Sequence, residues 1–145
     1  GALLTIYAGR TTREVIHQIV TQIVIMAREN DGGESSFIAK ILARSLLCCN
    51  IKVVAAGEPI PDLKGEDDIL VLSTERLQTV NQAAEMVTAT DGEILILEEN
   101  NAFPVPGEVR TVITNIPKLH FGNVTRLTGT DLAETVLEQI AKIRQ

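Results

Sequence analysis

Three short stretches carry residue types that could hold an anion. They are Gly9-Arg10-Thr11-Thr12, Gly32-Gly33-Glu34-Ser35-Ser36 and Ser73-Thr74-Glu75-Arg76. Each sets hydroxyls at the start of a predicted helix, where unpaired backbone amides and the helix dipole favour negative charge. Arg10 and Arg76 add guanidinium donors to the first and third. Each stretch also has a plainer reading. Thr11 and Glu14 have capping-box spacing, Ser35 or Ser36 caps the next helix, and Ser73 or Thr74 caps another. The motifs are too short to separate the two readings. No Gly-x-Gly-x-x-Gly, Walker-type Gly-Lys-Ser or Gly-x-Ser-x-Gly element occurs. Dinucleotide and nucleoside-triphosphate sites are therefore unsupported, no nucleophile–base pair stands out, and nothing calls for a cofactor.

The remaining titratable groups are sparse. His17 and His120 are not at metal-ligand spacing, and no cysteine or carboxylate pattern typical of zinc adjoins either. Glu66-Asp67-Asp68 and Glu98-Glu99 fall near strand ends; such groups can hold magnesium, but solvated loop charge is the more economical account. Cys48 and Cys49 are adjacent within a helical pattern, so they give neither a disulfide framework nor a four-thiolate zinc site. They read as small apolar core residues in a reducing cytoplasm.

Bulk properties narrow the classes. The chain has 145 residues, enough for one domain with a sizeable core. Hydrophobic residues make up 45% and aromatics only 3%, with no tryptophan, so the core must be aliphatic. Few aromatics also means few platforms for stacking bases. Net charge is −6, and the 13 basic residues are scattered among 19 acidic ones, which argues against nucleic acid. No apolar run approaches the ~20 residues of a membrane span, and no signal peptide opens the chain. A cytoplasmic protein without membrane or nucleic-acid partners is expected. Gly1 reads as an internal domain start or a cloning remnant.

The elements that must position these residues follow from hydrophobic periodicity. Ala2 to Ala8 suits a buried strand. Val15, Ile16, Ile19, Val20, Ile23, Met26 and Ala27 recur at three and four, which predicts a helix over Thr12 to Asn30. The dense β-branched residues of Ile19 to Ala27 support a competing strand. After the break at 28–33, Phe37, Ile38, Ile41, Leu42, Ser45, Leu46 and Cys49 predict a helix stopped at Asn50. Strands follow at Ile51 to Ala56, Ile69 to Ser73, Glu93 to Glu98 and Val109 to Thr114, with an edge strand within Lys118 to Leu127. Leu77, Val80, Ala83, Ala84 and Val87 mark a helix after Ser73. Leu132, Val136, Leu137, Ile140 and Ile143 mark the last, capped by Thr130. Continuous apolar strands alternating with amphipathic helices predict a single α/β domain, a three-layer Rossmann-like sandwich around a mostly parallel, about five-stranded sheet. Ligands bind such sheets outside the carboxyl ends of the strands. That picks the loops Gly9 to Thr12, Gly57 to Pro59, Ser73 to Arg76 and Glu98 to Asn101, joined by Asp31 to Ser36 if it lies at the same sheet end.

The order Gly33-Glu34-Ser35-Ser36, helix, strand ending Gly57-Glu58-Pro59, Gly65-Glu66-Asp67-Asp68, strand ending Ser73-Thr74, helix, strand resembles that of sugar isomerase domains over about Asn30 to Pro117. The resemblance implies phosphosugar binding on a parallel α/β sheet. The family's Ser-x-Ser-Gly-x-Thr phosphate loop is here Ser73-Thr74-Glu75-Arg76-Leu77, without its glycine. The expectation is a domain that binds a small anionic, phosphorylated metabolite through Gly9, Arg10, Thr11, Thr12, Gly33, Ser35, Ser36, Ser73, Thr74 and Arg76. As an enzyme it would be a phosphosugar isomerase or lyase. The alternative is a non-catalytic assembly domain, a homodimer formed through the broad apolar helix Thr12 to Asn30 with Val24 and Ile25 at the contact.

Overall fold

A computed structural model describes residues 20–46, 48–99, 102–124 and 129–143. Gly9, Arg10, Thr11, Thr12 and His17, with the strand expected at Ala2 to Ala8, lie outside the described residues. Five strands carry the fold: β1 (Gln22–Met26), β2 (Asn50–Val54), β3 (Asp68–Ser73), β4 (Glu93–Glu99) and β5 (Leu119–Val124). Four helices are described: α1 (Glu34–Ser45), α2 (Val80–Ala89), α3 (Gly107–Ile113) and α4 (Gly129–Ile143).

Successive strand side chains point to opposite faces. In β1, β3 and β4 both parities are apolar. Ile23, Ile25, Ile69, Val71 and Leu95 meet Ile38 and Leu42 of α1 and Val136 and Ile140 of α4. Val24, Met26, Leu70, Leu72, Ile94 and Ile96 meet Ala83 and Met86 of α2 and Val109 and Ile113 of α3 on the other side. A sheet apolar on both faces needs a helical layer on each, and the result is the three-layer α/β sandwich expected. All four strand pairings are parallel, in the order β2-β1-β3-β4-β5. This is a doubly wound order whose direction of winding reverses between β1 and β3. Among the described residues no helix is long and apolar enough to cross a membrane.

Of the helix expected over Thr12 to Asn30, residues 12–19 lie outside the described residues, and the part from Val20 on is corrected in favour of the competing strand: Gln22–Met26 is the sheet strand β1, paired on both edges. Ile23, Val24, Ile25 and Met26 are each at most 4% exposed. Four consecutive buried residues would wrap the whole circumference of a helix; a strand covered on both faces buries all four. Val24 and Ile25 lie in the sheet interior, not on an exposed helix face where a dimer contact was expected of them. The strand expected at Val109 to Thr114 is also corrected: it is α3. Only Val109 and Ile113, four apart, are buried there, while Val112 is 44% exposed. A parallel β4–β5 pair needs a crossover between its strands, and α3 supplies it.

Three boundaries move. The helix expected after Ser73 is divided into a single 3₁₀ turn, Thr74–Arg76, and α2. Thr79 and Gln82 form the capping box of α2, with the Gln82 amide donating to Thr79 Oγ1 (3.1 Å) and the Thr79 amide to Gln82 Oε1 (3.0 Å). α1 ends at Ser45, so Asn50 starts β2 rather than stopping a helix. Cys49 is buried, and its thiol is pushed up to about 11, chiefly by burial and then by the Asp68 charge; Cys48 is exposed. His120 lies in β5, not in a loop, and pairs with Glu93 at 2.7 Å.

The turn into β4 has little room. A Cβ at Gly92 would lie 2.1 Å from the backbone oxygen of Asp68 and 2.9 Å from that of Gly65. Gly57 adopts φ +87 with open space around it. Gly92→Ala is therefore expected to cost about 3 kcal/mol, because backbone must move. Gly57→Ala should cost only about 1 kcal/mol of left-handed strain. Thermal melts of the two variants against the parent check the ranking.

Candidate functional site

The reversal of winding at β1 and β3 leaves a crevice at the carboxyl ends of the strands, the place where such sheets bind ligands. β1 runs into Arg28 and the Asp31 to Ser36 loop, β3 into Ser73 and Thr74, and β4 into Glu99. The Asp31 loop therefore lies at the same sheet end as Ser73. A cavity of about 120 Å³ sits here on the α1/α4 face. Ile25, Ile38, Val71, Leu97 and Val136 form its apolar floor and walls; Arg28, Asp31, Glu34, Ser35, Ser73, Thr74 and Glu99 supply its polar groups.

The loop after β1 is shaped by three left-handed residues, Asn30 (φ 56), Gly32 (φ 65) and Gly33 (φ 81). The N-cap position of α1 is held by Gly33 rather than a serine, and the first-turn amide is met from the preceding turn by Asp31. Its carboxylate accepts from the Ser35 amide (3.0 Å) and from Ser35 Oγ (3.1 Å), a charge-assisted pair at the positive end of the helix. Ser35 is buried and spent on that pair. Thr74 is buried and donates to the carbonyl of Ala102 at 3.4 Å. Ser73 differs from both. Its Oγ is buried in the cavity wall and has no hydrogen-bond partner among the described residues. An unmet hydroxyl in a cleft is a place for a ligand atom to bond.

Arg28 spans the mouth. One end of its guanidinium lies 3.4 Å from Glu34 Oε2 and the other 3.8 Å from Glu99 Oε2, with all three side chains partly exposed. Contacts this long and this solvated contribute at most about 1 kcal/mol each. Phe103 lines the same mouth at φ 44 and is 47% exposed. An aromatic in the left-handed region is an outlier of the kind that clusters at ligand clamps.

The expected site residues divide. Ser35, Ser73 and Thr74 are brought together in the cavity, and Gly33 lies at the head of α1 beside them without lining it. Ser36 is exposed and does not line it. Arg76 stands elsewhere, in an open groove of about 520 Å³ with Gly57, Pro59 and the carboxylates of Glu29, Glu58, Glu75 and Glu85. That groove carries four carboxylates and one guanidinium and is separate from the cavity lined by Ser73 and Thr74. Among the described residues the basic side chain lining that cavity is Arg28, which sequence reasoning missed because it placed the residue at a helix end. Read as a strand, the run Ile23 to Met26 would have set Arg28 at a carboxyl edge. Glu98 is bound to Arg110 at 2.7 Å, and the Arg110 guanidinium lies 5.1 Å over the Phe121 ring. Asp68 begins β3 at the opposite end of the sheet, where its carboxylate accepts from the Gly65 amide at 3.0 Å. No three His, Cys, Asp or Glu side chains converge as a metal site among the described residues.

Replacing Asp31 with alanine removes the side-chain acceptor at the head of α1 and strands the buried Ser35 hydroxyl. A loss of about 1–2 kcal/mol is expected, read from the urea midpoint. Asp31→Asn, which can still accept from the Ser35 amide, should recover about half of it. No family model matches the chain, and no curated protein matches it in sequence.

Proposed function

We propose that this chain binds a small anionic, hydroxyl-bearing metabolite in the cavity between the ends of β1 and β3, a phosphosugar in the most concrete form. The observation that carries this reading is Ser73 Oγ, buried and without a hydrogen-bond partner among the described residues, in a cleft that also presents Arg28. The position supports it, because the cavity lies at the switch point of a doubly wound sheet. The resemblance to sugar isomerase domains in element order points to the same ligand class. Arg28 is the donor for the anionic group, Ser73 adds a neutral donor, and the mouth carboxylates accept from ligand hydroxyls. Volume bears on how the ligand sits. A cavity of about 150 Å³ is filled by benzene, so about 120 Å³ encloses one headgroup of similar size and leaves the rest of a sugar in the open mouth.

A thermal-shift screen with inorganic phosphate, pentose and hexose phosphates, and the matching free sugars tests this. A ligand at a hundred times its Kd adds about 2.7 kcal/mol to the folded state. For a domain of this size that is a rise of roughly 5–10 °C. The rise is expected with a phosphosugar, is smaller in Ser73→Ala and is lost in Arg28→Ala. Equal shifts in parent and Arg28→Ala would remove this cavity as the binding site.

A further inference from the structure

The contacts of Arg28 are loose by the standard of this same molecule. Arg110 reaches Glu98 at 2.7 Å, the length of a tight charge-assisted bond. Arg28 donates a long hydrogen bond to Glu34 at 3.4 Å and lies 3.8 Å from Glu99, both longer than the Arg110–Glu98 contact. The three residues come from three separate elements, the loop after β1, the first turn of α1 and the end of β4, and they converge only at the cavity mouth. Arg28 is the one basic side chain among the described residues that line it. Among the described residues an anion entering the cavity has therefore one guanidinium to use, and two carboxylates already hold it.

We propose that Arg28 is a shared cation. Glu34 and Glu99 hold it across the mouth in the free protein, and an anionic headgroup takes it from them on binding. Glu34 and Glu99 are then positioning residues that set the affinity. They keep the guanidinium over the cavity, compete for its donors and repel a second negative charge. The site accordingly selects a singly placed anionic group and weakens the hold on highly charged polyphosphates. This inference rests on the binding reading above.

The test is calorimetric titration of the parent, Glu34→Gln, Glu99→Gln and the double variant with inorganic phosphate and glucose 6-phosphate. Circular dichroism melts confirm that each is folded. Glutamine keeps length and a hydrogen-bonding oxygen while removing the charge. Each single variant is expected to bind both probes roughly two- to fivefold tighter, the reverse of what damage to a structural contact would do. Either single variant suffices, so the loss of one to misfolding leaves the test intact. Unchanged or weaker binding in the folded variants, with the parent still binding, overturns the shared-cation inference and leaves the binding site standing. No binding of either probe by parent or double variant overturns both.

Discussion

Burial of β1, β3 and β4 on both faces is the constraint from which the rest of the structure follows. Each of these strands carries aliphatic side chains of both parities, and none can be solvated without exposing half of the core. The sheet must then lie between two helical layers, α1 and α4 on one side and α2 and α3 on the other. Parallel neighbours can be joined only by crossovers, so helix and strand alternate. β1, paired on both edges, forces β2 and β3 to opposite sides of it. The chain leaves β1 over one face and β3 over the other, and the crevice between the two departures cannot be closed by either. The cavity is a by-product of covering an aliphatic sheet.

What occupies that crevice is set by short-range polar chemistry. The Asp31 carboxylate uses up Ser35, and the Gln78 side-chain amide donates to the Thr74 carbonyl at 2.8 Å, steadying the 3₁₀ turn beside Ser73. Thr74 is tied to the Ala102 carbonyl. Among the described residues these bonds leave Ser73 Oγ as the unmet group in the wall and Arg28 as the cation at the mouth. The anchors on either side hold the two groups in place at the end of a stiff sheet, which is where a preorganised binding site belongs. The nearby groove sets Arg76 among Glu29, Glu58, Glu75 and Glu85, as the cavity sets Arg28 among Asp31, Glu34 and Glu99. One sheet end thus offers two openings, each with a single guanidinium among carboxylates, separated by the Ser73 to Arg76 turn.

Much of the fold was legible in the chain because strand burial leaves a local mark. Ile69 to Ser73 and Glu93 to Glu98 are apolar runs bounded by turn residues, and their cores, Ile69 to Leu72 and Ile94 to Ile96, are buried on both faces. Ile51 to Ala56 was legible from its β-formers alone, since only Val54 of it is buried. α4 was legible for the converse reason: Leu132, Val136, Leu137 and Ile140 keep one stripe, and all are buried. Two segments misled. Val20, Ile23, Met26 and Ala27 happen to share a helical stripe, although Val24 and Ile25 between them are buried too. Val109 to Thr114 is rich in β-branched residues, yet only its i and i+4 positions reach the core. In both, the deciding quantity was how many faces are covered, and neighbours distant in sequence supply the cover.

By itself the sequence determined the class of fold and marked the sheet end at which its candidate loops gather. Hydrophobic periodicity and capping signals are local, and a parallel sheet exposes its loops at a known edge. It also marked Ser73 and Thr74 as strand-end hydroxyls. Only the tertiary structure decided which loops meet. It set the Asp31 loop against Ser73, sent Arg76 into a separate acidic groove, and brought Arg28 from β1, Glu34 from α1 and Glu99 from β4 to one mouth. The physical reason is strand order. Parallel pairing places residues dozens of positions apart side by side, and the order in which strands pair is settled by burial of the whole sheet rather than by any one segment.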